Sequence, residues 1–390
     1  MKFRRVVVIG GGAAGVETAL LLRRAAPDLE LAVVCPSDDL VYRPSLISLP
    51  AGRELSEFRF SLASIAASAG FHHVQETATE IDLATRQVRF ASGEVREYDR
   101  LVIAAGAPAD RDRIPGAAEH AFFPCDTADA VSFAERVRSL AQGTITIVLT
   151  GERTGPGLEY AAHLAGYLRS TGRAGPRLRV LDDRPELMTP LGRRGSRYVH
   201  RRLTQRGVDV CPGKAVAVIG DGEVVLSDGR RLESDVTAVV GPLRGPRLGL
   251  PAEVCSSSGF LSTDSSLRLV GNPEVVVVGD AAYLVDAPEL PKSWVLARLQ
   301  GATAAAMLVA EVQDKPGEPF DIAKAKRLAK FNLPDLGGTA LLARSGHLLA
   351  VGPLPYLLRR RLDRTNLRVL QSAALASQPT DTTTNRGNRS

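Results

Sequence analysis

The stretch RRVVVIGGGAAGVETALLLRRAAPDLELAVVCP near the N-terminus limits what this chain can fold into more than any other part of it. Val6 to Ile9 form a short β-branched run, as a buried parallel strand needs. Gly10, Gly12 and Gly15 follow at G-x-G-x-x-G spacing. Residues 14–25 then carry helical periodicity, and Leu29 to Val34 supply a second strand. Each glycine has a physical role. Gly10 permits the tight turn, Gly12 lets backbone approach a pyrophosphate, and Gly15 lets the helix pack close to the strand. The helix N-terminus then faces the phosphates, with Ala13 and Ala14 beside them. This predicts an α/β chain that opens with a dinucleotide-binding unit. The competing reading is a glycine-rich turn with no ligand.

One element departs from the pattern. The second strand should end in an acid for the ribose hydroxyls, and that position is Cys35. Cys35 reads as a small buried hydrophobe, with Asp38 or Asp39 as substitute acids. Two distant segments complete the site. NPEVVVVGDAAYL runs four valines into Gly279 and Asp280, which suits a carboxylate that accepts a ribityl hydroxyl bond, or a helix N-cap. EYDRLVIAAGAPA is an apolar strand ending in Ala104, Ala105 and Gly106, small residues that allow close approach to a cofactor.

Composition narrows the function. The chain has 390 residues, enough for two or three domains, and a formal net charge of +6. Only seven of its 49 basic residues are lysines, and no basic patch is interleaved with aromatics, so nucleic acid is not an expected partner. Cys35, Cys125, Cys211 and Cys255 form no CxxC pair, and no Cys/His cluster has zinc spacing, so no metal site is expected. The apolar run before the glycines is too short for a signal peptide, and no run of 18 apolar residues predicts a membrane span.

GGGAAG, YDRLVIAAGA and VVVVGDAA resemble, in order, the three flavin signatures of the two-dinucleotide-fold flavoproteins, over roughly residues 1–310. VYRPSLISLPAG, PKSWVLARLQGATAA and the absence of an N-terminal CxxxxC resemble type II NADH dehydrogenases and sulfide:quinone reductases within that superfamily. The resemblance implies two Rossmann-like domains binding FAD and NAD(H), plus a C-terminal module. It places the FAD domain in 1–115 and 255–318, a nucleotide-fold domain in 116–254, an acceptor and membrane-contact module in 319–375, and a disordered tail in 376–390. It implies cofactor contacts at Cys35, Arg43, Pro44, Ala78 and Lys292 besides the signature residues, and catalytic parts for Lys292 and Glu159. Lys292 would lie near the flavin pyrimidine ring, where a cation stabilises the reduced anionic flavin; the alternative is an ordinary surface lysine. Trp294 would line the acceptor pocket or belong to the core. Gln300 and Gly301 would lie on the helix aimed at the flavin.

The second nucleotide fold is less orthodox. Residues 143–185 repeat the β-α-β plan, but aligning Gly157-Leu158-Glu159 with the family's Gly-Val-Glu puts Glu152 and Thr154 where glycines belong. An acid against a pyrophosphate is unfavourable unless Arg153 offsets it. Glu159 keeps the position of a helix glutamate near the nicotinamide, and Asp182 ends the following strand, where an acid selects NADH over NADPH. NAD(H) binding and a degenerate scaffold both stay open. Sulfide oxidation by the family's route needs cysteines at positions held here by Arg153 and Asn332, and is disfavoured.

From Ala343 to Leu370 six arginines and one aspartate alternate with leucines. This suits an amphipathic helix on an anionic membrane, or a helix packed on the protein or in a homodimer, with Pro353 and Pro355 interrupting any single long helix. The resulting expectation is an NADH:quinone oxidoreductase-like flavoenzyme, cytoplasmic and peripheral on the inner face of the cell membrane. The alternatives are a flavoenzyme with a non-nicotinamide donor, or a flavin-bound scaffold without turnover.

Overall fold

The structure is a computed structural model that describes residues 3–151, 155–173 and 175–375. Strand Arg5–Ile9, helix Ala13–Ala25 and strand Glu30–Val34 form the expected first unit, with the two strands parallel and Val7 opposite Ala32. On its other side strand Arg5–Ile9 pairs in parallel with Arg100–Ile103, which pairs in parallel with Asn272–Val277. These strands are neighbours in an eight-stranded sheet. Three glycine-bearing motifs spread over most of the chain therefore end at one edge. Ligands of open α/β sheets bind outside the carboxyl ends of the strands.

The sheet's apolar runs are continuous rather than alternating because both faces are covered. Val6, Val8, Leu101, Val102, Ile103, Val276 and Val277 are all buried. Helices Ala13–Ala25 and Trp294–Val312 lie against each other, and the contact depends on Gly301. A Cβ there would stand 2.5 Å from the Ala14 carbonyl oxygen, and the Thr18 hydroxyl lies 3.1 Å from the Gly301 carbonyl. Helix Trp294–Val312 is long and apolar enough to cross a membrane by length and composition, although Arg298 interrupts its apolar run. Its Leu296, Ala297, Ala304, Ala305 and Leu308 are buried against the rest of the chain.

A second sheet holds four parallel strands in the order Val208–Pro212, Pro176–Asp182, Gly143–Leu149, Val236–Val240. Helix Gly155–Ser170 follows strand Gly143–Leu149. After helix Trp294–Val312 the chain forms a hairpin, Ala340–Arg344 with His347–Gly352, and ends in the 23-residue helix Pro353–Leu375. The expectation that Pro353 and Pro355 interrupt a helix needs correction. They lie in its first turn, where the missing N–H would have no intrahelical partner anyway.

Candidate flavin and electron-transfer site

The first glycine turn is built as a cradle. Gly10 has φ +110°, and a Cβ there would run into the Ala104 carbonyl. A Cβ on Gly15 would run into the Gly10 carbonyl, whereas at Gly12 it would meet nothing within 4 Å. Two glycines are thus fixed by protein packing, and the third leaves backbone open beside a helix N-terminus. That is the arrangement a pyrophosphate needs, and it fits a flavin dinucleotide. Ala13 and Ala14 begin the helix, Ala104 is buried, Ala105 is exposed, and Gly106 has φ +71° with open space beside it. Gly279 and Asp280 form a one-turn helix at the neighbouring strand end, and Gly279 N–H donates to Gln300 Oε1 at 2.7 Å.

Cys35 follows its strand, half-buried; its Sγ would lie 3.0 Å from a Cβ on Gly11. Asp38 accepts the Ala63 N–H at 2.6 Å, and Asp39 lies 3.6 Å from Arg59, so both substitute acids are already engaged. Ala78 opens the strand Ala78–Asp82, half-buried. Arg43 is exposed at the start of the 3-10 helix Arg43–Ser48, with Pro44 in its first turn. Among the described residues no group of three His, Cys, Asp or Glu could hold a metal ion.

Lys292 is not an ordinary surface lysine. Its Nζ donates to the Ala282 carbonyl and lies 4.5 Å from the centre of the Phe260 ring. It lines a cavity of about 300 Å³ together with Gly279, Asp280, Leu296 and Gln300. Burial lowers its pKa to about 8, against the opposing pull of Asp280. Below that pH it is a cation beside the signature residues; above it, a neutral amine. Turnover should therefore fall as pH rises through about 8, and Lys292→Met should be slow with that inflection absent. A pH–rate profile checks this, and an unchanged inflection in the variant would exclude Lys292 as its source.

The second nucleotide fold keeps the close packing of its helix on its strand at Gly157, and the acids that end its next strand are engaged. A Cβ on Gly157 would strike Leu149, and stand 3.2 Å from Val240 Cβ, so this glycine brings helix and strand together. Asp182 ends its strand as expected, but it is 0% exposed and lies 3.2 Å from Arg184 Nη2. Asp183 Oδ2 accepts from Thr150 Oγ1 at 2.8 Å and from Gly151 N at 3.1 Å. Glu152, Arg153 and Thr154 lie outside the described residues.

Glu159 sits in a buried polar cluster that the sequence did not reveal. Its Oε1 accepts the Asp335 N–H at 2.7 Å and lies 3.5 Å from Arg359 Nη1 on the C-terminal helix. Arg359 also holds Asp363 at 3.1 Å and the Leu333 carbonyl at 3.0 Å. Tyr42 donates to Asp363 at 2.7 Å and meets the Trp294 ring edge-on, centroids 4.9 Å apart. Asp335 in turn lies 3.3 Å from His163. Burial raises the Glu159 pKa, and Arg359 and the Asp335 N–H only partly offset it. Burial works against the Arg359 charge, but Glu159 and Asp363 outweigh it and keep the guanidinium charged. Tyr42 stands beside Arg43 in VYRPSL, and Arg359 and Asp363 lie within LRRRLDR. Nothing local in either motif marks a contact between segments more than 300 residues apart.

Residues 4–301 match the family described as pyridine nucleotide-disulphide oxidoreductase. An NADH dehydrogenase-like protein of Mycobacterium tuberculosis is 32% identical over 294 residues, 71% of this chain and 72% of that protein. The type II NADH:quinone oxidoreductase Ndh of the same organism is 25% identical over 387 residues, 90% of this chain and 80% of that protein. The sulfide:quinone oxidoreductase structure from Aquifex aeolicus superposes with a TM-score of 0.82 at 20% identity, covering 97% of this chain and 93% of that one. That last likeness shows the fold alone. The chain is an oxidoreductase belonging to the pyridine nucleotide-disulphide oxidoreductase family, in the branch resembling type II NADH dehydrogenases and sulfide:quinone reductases.

Proposed function

We propose that this chain is an FAD-dependent oxidoreductase that passes electrons from a reduced nicotinamide, NADH in preference to NADPH, to a quinone-like acceptor at a membrane face. One observation carries the reading. The helix that opens at the second nucleotide turn brings Glu159 into the cluster formed by Asp335 and the C-terminal helix. The donor domain and the segment suited to a membrane therefore share one buried charge network. The similarity to proteins named for NADH and quinone supports the same donor and acceptor classes.

Gly10, Gly12, Gly15, Ala104, Ala105, Gly106, Gly279 and Asp280 would hold the flavin, which supplies two-electron acceptance from a nicotinamide and onward transfer to a quinone. The protein supplies orientation and electrostatics. Lys292 offers positive charge beside these residues. Glu159, its pKa raised by burial, holds a proton more readily than an exposed carboxylate does.

The C-terminal helix supports the membrane face. Leu354, Leu357 and Leu362 are 78%, 60% and 50% exposed, and Arg361, Arg364 and Arg368 are exposed on the same helix. Each basic side chain near an anionic surface contributes about 1 kcal/mol. Full-length protein should sediment with phosphatidylglycerol vesicles, and Leu354→Glu/Leu357→Glu/Leu358→Glu should stay in the supernatant with its flavin retained. Equal sedimentation of both proteins would place the membrane contact elsewhere.

A second reading rests on a specific observation. Asp183 holds the Gly151 N–H, and Arg184 covers Asp182. Both favour a donor that approaches the flavin without using the second turn. Anaerobic mixing with NADH and with NADPH separates the two readings, because only the first predicts bleaching of the flavin by a nicotinamide.

A further inference from the structure

A cavity of about 370 Å³ lies at the edge of the four-stranded sheet opposite the nucleotide turn, where strands Pro176–Asp182 and Val208–Pro212 begin. Its wall contains Arg169, Arg173 and Arg206 and, among the described residues, no carboxylate. Arg206 is half-buried and donates to the Ala162 carbonyl at 3.2 Å, the Gly337 carbonyl at 2.7 Å, and the Leu336 carbonyl. Arg173 donates to the Leu140 carbonyl. Arg202 stands behind them, with its Nε buried and no hydrogen-bond partner among the described residues. Burial and the like charges of Arg202 and Arg169 press on Arg206, and the acid acting on it, Asp335, is already engaged with His163.

Helix ends explain part of this arrangement. Helices Thr127–Ser139, Gly155–Ser170 and Gly192–Thr204 all finish near these arginines, and cations are favourable at helix C-termini. Each end carries about half a negative charge, so three offset about one and a half of four positive charges. About two and a half positive charges are left around the cavity, a surplus that helix capping does not require.

We propose that this cavity is a binding site for a small, multiply charged phosphate-bearing anion, separate from both nucleotide turns. Guanidinium groups pair with phosphate oxygens through short charge-assisted bonds, and Arg169 and Arg206 both line the cavity. The anion would neutralise the repulsion among Arg169, Arg202 and Arg206.

The test uses the purified, flavin-loaded full chain, so that the first glycine turn is already filled. Inorganic pyrophosphate is titrated calorimetrically, with potassium chloride at equal ionic strength as the control. Saturable binding is expected in the wild type, with a rise in Tm of about 2 °C or more at saturation. Arg169→Gln/Arg202→Gln, which leaves the Arg206 carbonyl contacts in place, should bind at least about tenfold more weakly. Absence of saturable binding to the wild type would overturn the proposal. So would equal binding by the variant, because it would put the anion at another site.

Discussion

Gly15→Val is expected to give a colourless protein. The added side chain would start inside the Gly10 carbonyl and press toward Ala104 Cβ, 3.2 Å from the first added atom. One obstacle is backbone of the turn itself and the other stands at the end of the neighbouring strand Arg100–Ile103, so relief requires helix Ala13–Ala25 to move off the sheet. That helix is also held against helix Trp294–Val312, where Gly301 allows close approach and its own Thr18 donates to the Gly301 carbonyl. Overpacking a close-packed contact costs about 1–3 kcal/mol where side chains can yield, and more where backbone must move. Flavin content, read as visible absorbance against protein absorbance, should fall by at least about tenfold. Gly12→Ala is the informative partner. Its Cβ meets no protein atom within 4 Å, so the fold should survive and only the space reserved for the phosphates is invaded. A fully flavinated Gly12→Ala protein would remove the cradle argument.

Arg359→Met should produce the other large effect. It leaves Glu159 enclosed without its cation, and Asp363 with Tyr42 as its remaining side-chain partner in the cluster. Removing one member of a buried ion pair costs about 3–5 kcal/mol when the other stays charged. Glu159 has an escape, because its pKa is already raised and would rise further. A carboxyl whose folded-state pKa lies above its unfolded value favours folding while protonated, and that contribution is lost as pH rises through the folded value. The stability gap between wild type and variant should therefore be smaller at an acid pH than at an alkaline one. Denaturant titration at both pH values measures it. Glu159→Gln/Arg359→Met should recover much of the loss. A gap independent of pH would mean that Glu159 is not the group that responds.

These two predictions also show what the sequence could and could not carry. The cradle was legible because its constraints are local. A glycine next to a strand end, another where backbone must face a phosphate and a third under a helix all lie within six residues. The convergence of Gly10, Ala104 and Gly279 followed from parallel pairing of strands whose ends each carried small residues. The cluster around Glu159 was not legible. Its members come from Tyr42, Glu159, Asp335, Arg359 and Asp363, and none of these contacts falls at a helical or strand spacing except Arg359 with Asp363. Arginine is common throughout this chain, so Arg359 carried no signal among its neighbours. The prolines misled for a positional reason. Pro353 follows the hairpin strand that ends at Gly352 and starts a helix, and the same residue inside a helix would have broken it. The engagement of Asp182 by Arg184, two residues on, depends on a turn whose shape the sequence did not disclose.

The most direct test of the account mixes the purified protein anaerobically with NADH while the flavin's visible absorbance is followed, then adds a soluble quinone. Rapid bleaching by NADH, slower bleaching by NADPH, and return of the colour with the quinone are expected. A flavin that dithionite reduces but neither nicotinamide bleaches would contradict it. Electron entry would then have to come from a donor that bypasses the turn at Gly151.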